Sequence, residues 1–156
     1  MFVVGLDSNR APFRHRITAK GLVDKDQLDL ACDYLSASQS TALRIAAIHH
    51  PLSDPPKPEL IGNNLLHRAA IAKRLQRAGA DLVLSGHVHQ HFTVPAGPDA
   101  PLHNVTGTGC QMLSPHPCCF DVIDVFRNNR FTFGFSHYTH TRSVNSSFEL
   151  MIQPSN

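Results

Sequence analysis

The chain has 156 residues, a formal charge of +2, and 42% hydrophobic against 17% charged residues. That size suits one domain with a real core, and the balance excludes both a wholly disordered chain and a strongly basic nucleic-acid binder. The unusual count is 11 histidines beside no tryptophan; histidine is the commonest metal ligand and titrates near neutral pH, so its placement along the chain is the first question.

Phe2–Leu6 reads as a short strand closed by Asp7-Ser8-Asn9. No basic segment precedes it and Asp7 ends it early, so no signal peptide is expected and the expected location is cytoplasmic. No apolar run approaches the length of a membrane span. Residues 9–20, with Pro12 and several basic side chains, read as loop. Asp24 followed by Gln27 resembles a capping box, and Leu28, Ala31, Cys32 and Leu35 follow at helical spacing. Leu43–Ile48 is nearly continuous in apolar residues, as a strand buried on both faces would be, and His49-His50-Pro51 ends it.

Pro51, Pro55, Pro56 and Pro58 stiffen the next loop. Asn63 or Asn64 is the expected cap of a second helix, whose apolar stripe is Leu65, Leu66, Ala69, Ala72 and Leu75 and whose C-terminal stop is Gly79. Arg68, Lys73, Arg74 and Arg77 mostly fall off that stripe and read as a solvated face. Asp81–Ser85 is another short buried strand, followed at once by Gly86-His87-Val88-His89. Phe92–Val94, Leu102–Thr106, Phe120–Phe126 and Phe131–Tyr138 then read as strands, the last two joined by a hairpin turn at Asn128-Asn129. From Thr139 the chain is predicted to be a loose polar tail, so the expected organisation is a domain over 1–138 and a tail over 139–156. The fold class is α/β: β-α-β-α-β followed by antiparallel strands, a helix-covered sheet continuing into a second sheet layer. The four cysteines read as ordinary thiols, and the Asn104-Val105-Thr106 and Asn145-Ser146-Ser147 sequons as chance matches.

Two histidine clusters each follow a predicted buried strand, where ligands bind in open α/β sheets. In an extended segment, residues i and i+2 share a side about 6–7 Å apart, so His87 and His89 can serve one metal, or two metals about 3.5–4 Å apart, with Gly86 leaving room for the ion. Strand neighbours point to opposite faces, so His49 and His50 are expected to differ in role. One can coordinate, while the other contacts substrate or hydrogen-bonds the loop. His91 and His67 carry no comparable context and read as surface or structural residues.

The run Ile48-His49-His50-Pro51, then a helix, then Leu84-Ser85-Gly86-His87-Val88-His89 resembles the C-terminal half of calcineurin-like metallophosphoesterases, most closely the cyclic-nucleotide and glycerophosphodiester phosphodiesterases. Gly5-Leu6-Asp7-Ser8, Gly21-Leu22 leading into the Gln27–Leu35 helix, and Gly107-Thr108-Gly109 fit the same pattern, so the likeness spans about residues 2–135. The resemblance implies the C-terminal half of a four-layer α/β/β/α sandwich. It implies divalent transition metals (zinc, iron, manganese or cobalt), two in the family, with His49 and His87 on one ion, His89 on the other, and His50 toward substrate. The implied reaction is hydrolysis of a small phosphoester, a phosphodiester foremost, by water whose pKa the metal pair lowers. The family's N-terminal half also carries Asp-x-His, Gly-Asp and Asn-His motifs, and none of these occurs here. Two adjacent divalent ions need carboxylates to offset their charge, so three neutral histidines support one ion at most. The chain is therefore expected to be a piece of a longer hydrolase, with self-association or a partner chain covering the exposed half of the sandwich. No nucleic-acid polymer and no membrane is expected as a partner. The alternative is an inactive remnant that acts as a metal-binding or protein-interaction module.

Overall fold

Short apolar runs that alternate with amphipathic segments favour strands laid side by side with helices on one face, and the computed structural model has that arrangement. It describes residues 1–9, 20–39, 41–54, 65–89, 91–97, 103–107, 118–127, 131–141 and 149–154. The chain divides into two compact units, Met1–Thr106 and Gly107–Asn156.

In the first unit, β1 (Phe2–Leu6), β2 (Arg44–Ile48) and β3 (Leu82–Ser85) pair in parallel. Helix α1 (Lys25–Ala37) joins β1 to β2, and α2 (Arg68–Arg77) joins β2 to β3. The α/β class and the β-α-β-α-β order are those expected. Strands β4 (Phe92–Val94) and β5 (His103–Thr106) extend this sheet instead of opening a second layer. The strand order is β1-β2-β3-β5-β4, with β5 parallel to β3 and β4 antiparallel at the edge. Alternation in the sequence marks both strands but not which neighbour they join.

One face of the sheet holds the core. Val4, Leu6, Ala46, Ile48 and Val83 pack with Leu28, Ala31 and Leu35 of α1 and Ile71, Ala72 and Leu75 of α2. Asp24 caps α1 by accepting the Asp26 N–H at 2.9 Å. Gln27 makes a different bond from the one a capping box needs. Its side-chain amide brackets the end of β1, accepting from Asp7 N–H and donating to Asp7 O at 3.1 Å. Helix α2 starts later than its apolar pattern suggests. Leu65 is buried but bridges Gly21, Ala69 is exposed, and His67 takes a left-handed φ of 56° that no helix can continue backward from. The expected caps Asn63 and Asn64 lie outside the described residues. The basic residues of α2 are not all solvated: Arg74 pairs with Asp29 of α1, and Lys25 and Arg74 together hold the Asp29 carboxyl below its ordinary range. Gly79 stands at φ 91°, a conformation that strains any residue with a Cβ. Asn104 of the first sequon is 1% exposed within β5, which no glycosyl transfer could reach. Among the described residues, no helix is long and apolar enough to cross a membrane.

The second unit is an antiparallel sheet of β6 (Cys118–Arg127), β7 (Phe131–Thr141) and β8 (Glu149–Pro154), with β7 central. Phe120 stacks on Tyr138 across the pair, with ring centroids 4.9 Å apart. Asp121 faces His137 in register, Oδ1 to Nδ1 2.8 Å. The loose tail expected from Thr139 onward is corrected here: β7 runs to Thr141 and Glu149–Pro154 forms a further strand. Leu150-Met151-Ile152 is too short an apolar run to announce a strand alone; the open edge of β7 supplies its partner. The Asn128-Asn129 turn and Thr108-Gly109 lie outside the described residues.

Leu75 is fully buried between α2 and the sheet, so Leu75→Ala should lower unfolding stability by about 2–5 kcal/mol in denaturant titration. His103 offers a second check. Its Nδ1 accepts the Ala96 N–H at 3.3 Å, and burial pushes its pKa below the ordinary 6.5. The unfolded chain therefore takes up this proton first as pH falls, and stability drops from about pH 6.5 downward. Thermal melts across that range should show a smaller fall for His103→Gln than for the natural chain; equal falls would contradict the burial effect.

Candidate metal centre

The parallel register decides which residues meet. Leu6 stands beside Ile48, and Ala47 beside Leu84, so Asp7, His49 and Gly86 lie at three neighbouring strand tips. The Gly86 N–H donates to His49 O at 3.0 Å, continuing the β2–β3 ladder one step past the strands. The next residue, His87, is thereby delivered against His49. Its Nδ1 lies 3.1 Å from His49 Nε2, and the two rings meet at 72° with centroids 5.0 Å apart.

The segment after Gly86 is not extended as expected. The Val88 N–H donates back to Gly86 O at 2.9 Å, a three-residue turn centred on His87 at φ 70°. That mirror form of the γ-turn is rare and strained. His89 follows at φ 52°. The positive-φ residues other than glycine, among the described residues, are His67, His87 and His89. Such conformations cost about 1–3 kcal/mol and cluster at functional sites. The same turn breaks the i, i+2 geometry on which a shared side for His87 and His89 rested. His89 is exposed, and within Met1–Thr106 no three described His, Cys, Asp or Glu side chains bring ligand atoms within 4.8 Å of one another. The structure thus forms a two-nitrogen pair, His49 with His87, and leaves His89 two residues beyond it.

His50 is the member sequence reasoning placed least well. It is 4% exposed, while its neighbour His49 is exposed. Its ring lies 4.1 Å from that of His87, and it meets His49 edge-on at 5.0 Å. Opposed pointing of strand neighbours says that one of the two turns inward but not which, and the resemblance distinguishes them only by turning His49 to the metal and His50 toward substrate.

A shallow, open depression of about 520 Å³ at the strand tips is lined by Gly5, Asp7, Ala47, His49, Leu84, Ser85 and Gly86. Ser85 also bonds Thr106 Oγ1 at 2.8 Å and Asn104 Oδ1 at 3.0 Å, a polar network buried under the β3–β5 end of the depression. The donor set admits a metal test. Two zinc–nitrogen bonds of about 2.0–2.1 Å at a tetrahedral angle place their nitrogens roughly 3.3 Å apart. The 3.1 Å His49–His87 separation is that of an N–H···N hydrogen bond between the two rings, and it is also close to the spacing an ion would need if it took the place of the shared proton. The pair offers no carboxylate bridge for a second ion.

No family model and no curated protein matches the chain. Among solved structures, wild-type Vps29 with Zn²⁺ from Entamoeba histolytica is similar over 97% of this chain and 98% of that one, at 13% identity and a TM-score of 0.34. A likeness at that level carries no argument about this site.

The strain at residue 87 has a direct test. At a left-handed φ, glycine loses the penalty that any Cβ incurs. His87→Gly should therefore be more stable than His87→Ala by about 1 kcal/mol, the reverse of the usual order. The usual order would mean that residue 87 does not hold a positive φ in solution.

Proposed function

We propose that this chain is the histidine-bearing part of a metal-dependent phosphoester hydrolase of the calcineurin-like kind. His49 Nε2 and His87 Nδ1 would hold one divalent transition ion, with the exposed His89, two residues on, as its further ligand. The substrate is a small phosphoester, a phosphodiester foremost. The observation that carries the reading is the 3.1 Å approach of the two imidazole nitrogens at adjacent strand tips. A divalent ion at that point supplies positive charge for phosphoryl oxygens and lowers the pKa of water toward neutrality.

The chain's own groups do the rest. The strand tips fix His49 and His87 in register, so little freedom is lost when they bind. Asp7 is the carboxylate lining the depression and lowers the local positive charge. Gly5, Ala47 and Leu84 offer apolar surface beside the histidines for the less polar part of an ester. A second reading, metal binding without turnover, is favoured by one observation: the Asp-x-His, Gly-Asp and Asn-His motifs are absent from the sequence.

Elemental analysis and a chromogenic phosphodiester separate the two. The full chain should hold about one zinc, and His49→Ala or His87→Ala should remove it, whereas His67→Ala should not. Zinc-dependent turnover that vanishes in His87→Ala supports the hydrolase. Bound zinc with no turnover leaves the binding module, and no zinc at all contradicts both.

A further inference from the structure

We infer that His50 is the positioning residue of this site: Ser8 and Gly21 clamp its ring in one orientation and one tautomer, and that ring holds His87 in place against His49. The inference rests on the metal-site reading above and deepens it, moving His50 from substrate contact to support.

Ser8 is fully buried at the tip of β1 and spends its hydroxyl on a single residue. Its Oγ accepts the His50 backbone N–H at 3.1 Å and lies 2.8 Å from His50 Nδ1. A hydroxyl has one proton and two acceptor positions. Ser8 is closed to water, and among the described residues its hydroxyl proton has no acceptor other than His50 Nδ1; with the backbone N–H on one acceptor position, that proton is assigned to Nδ1 and, in the neutral ring, the ring proton to Nε2. Gly21 closes the other side. A Cβ there would lie 2.4 Å from both Cγ and Nδ1 of His50 and 2.8 Å from Ser8 O. Any side chain at residue 21 would displace the ring. Gly21 is itself held in place, because the Leu66 N–H donates to its carbonyl at 2.9 Å and the Leu22 N–H donates to Ser8 O at 3.0 Å.

The clamped ring then acts on its neighbours. It lies 4.1 Å from the His87 ring at 41° and 5.0 Å from the His49 ring at 88°. Both of those rings are more open to solvent than His50, and His87 stands on a strained turn. A rigid buried ring against each limits the rotamers they sample before an ion arrives. Removing such supporting contacts typically weakens metal binding about 10- to 100-fold without removing a ligand.

Two measurements test this on the full chain. Long-range ¹H–¹⁵N spectra of the metal-free protein, with the neutral ring, should show His50 protonated at Nε2 and bare at Nδ1; a proton on Nδ1 overturns the clamp. Zinc titration calorimetry should give Ser8→Ala the natural stoichiometry but an affinity lower by about tenfold or more, with an unchanged far-ultraviolet circular dichroism spectrum. Natural affinity in folded Ser8→Ala overturns the inference while leaving the metal site standing. No zinc binding by the natural chain overturns the metal site, and the ring spectra still decide whether the clamp exists. If Ser8→Ala does not fold, His50→Asn replaces it, since the Asn amide can occupy the Nδ1 position opposite Ser8. Natural zinc affinity in that variant overturns the inference as well.

Discussion

The site depends on one hydrogen bond beyond the end of the sheet, from Gly86 N–H to His49 O. Parallel strands bring their carboxyl ends to one edge, but they do not by themselves bring side chains together. This bond carries the β2–β3 pairing past the last strand residue and sets His87 beside His49. Without it, the turn after β3 would be free to carry His87 elsewhere.

The energetics run in opposite directions at the site and in the core. The face of the sheet under α1 and α2 is closed by aliphatic packing around Leu35 and Leu75, each fully buried. The strand tips instead hold a left-handed His87, a left-handed His89 and a buried, hydrogen-bonded His50. Those features lower stability unless the surroundings hold them. The Ser8 hydroxyl and the small Gly21 hold His50, and the bracket of Gln27 holds Asp7 at the neighbouring tip. Helix α1 thus reaches the site through Gln27 as well as supporting the sheet, which links the packing of the core to the geometry of the tips.

Much of this was legible in the sequence. Strands β1, β2 and β3 of the parallel sheet, the first helix and the histidine clusters at strand ends followed from apolar runs and their abrupt polar stops. Three things were not. The placement of β5 between β3 and β4 depends on long-range pairing, which alternation within a strand does not encode. The start of α2 was hidden because Leu65 carries a helix-like spacing but serves a bridge to Gly21. The turn at His87 was hidden because an H-x-H pair reads as extended until a backbone bond from Val88 to Gly86 bends it. The inward turn of His50 was half legible: opposed neighbours were expected, but its partner Ser8 lies 42 residues away, and no local pattern connects the two.

If His49 Nε2 and His87 Nδ1 hold one ion, as proposed, anomalous diffraction at the zinc edge from crystals of the full chain grown with zinc will show a single strong peak within about 2.0–2.1 Å of both nitrogens. A peak elsewhere, or none beside this pair at full zinc occupancy of the protein, would contradict it.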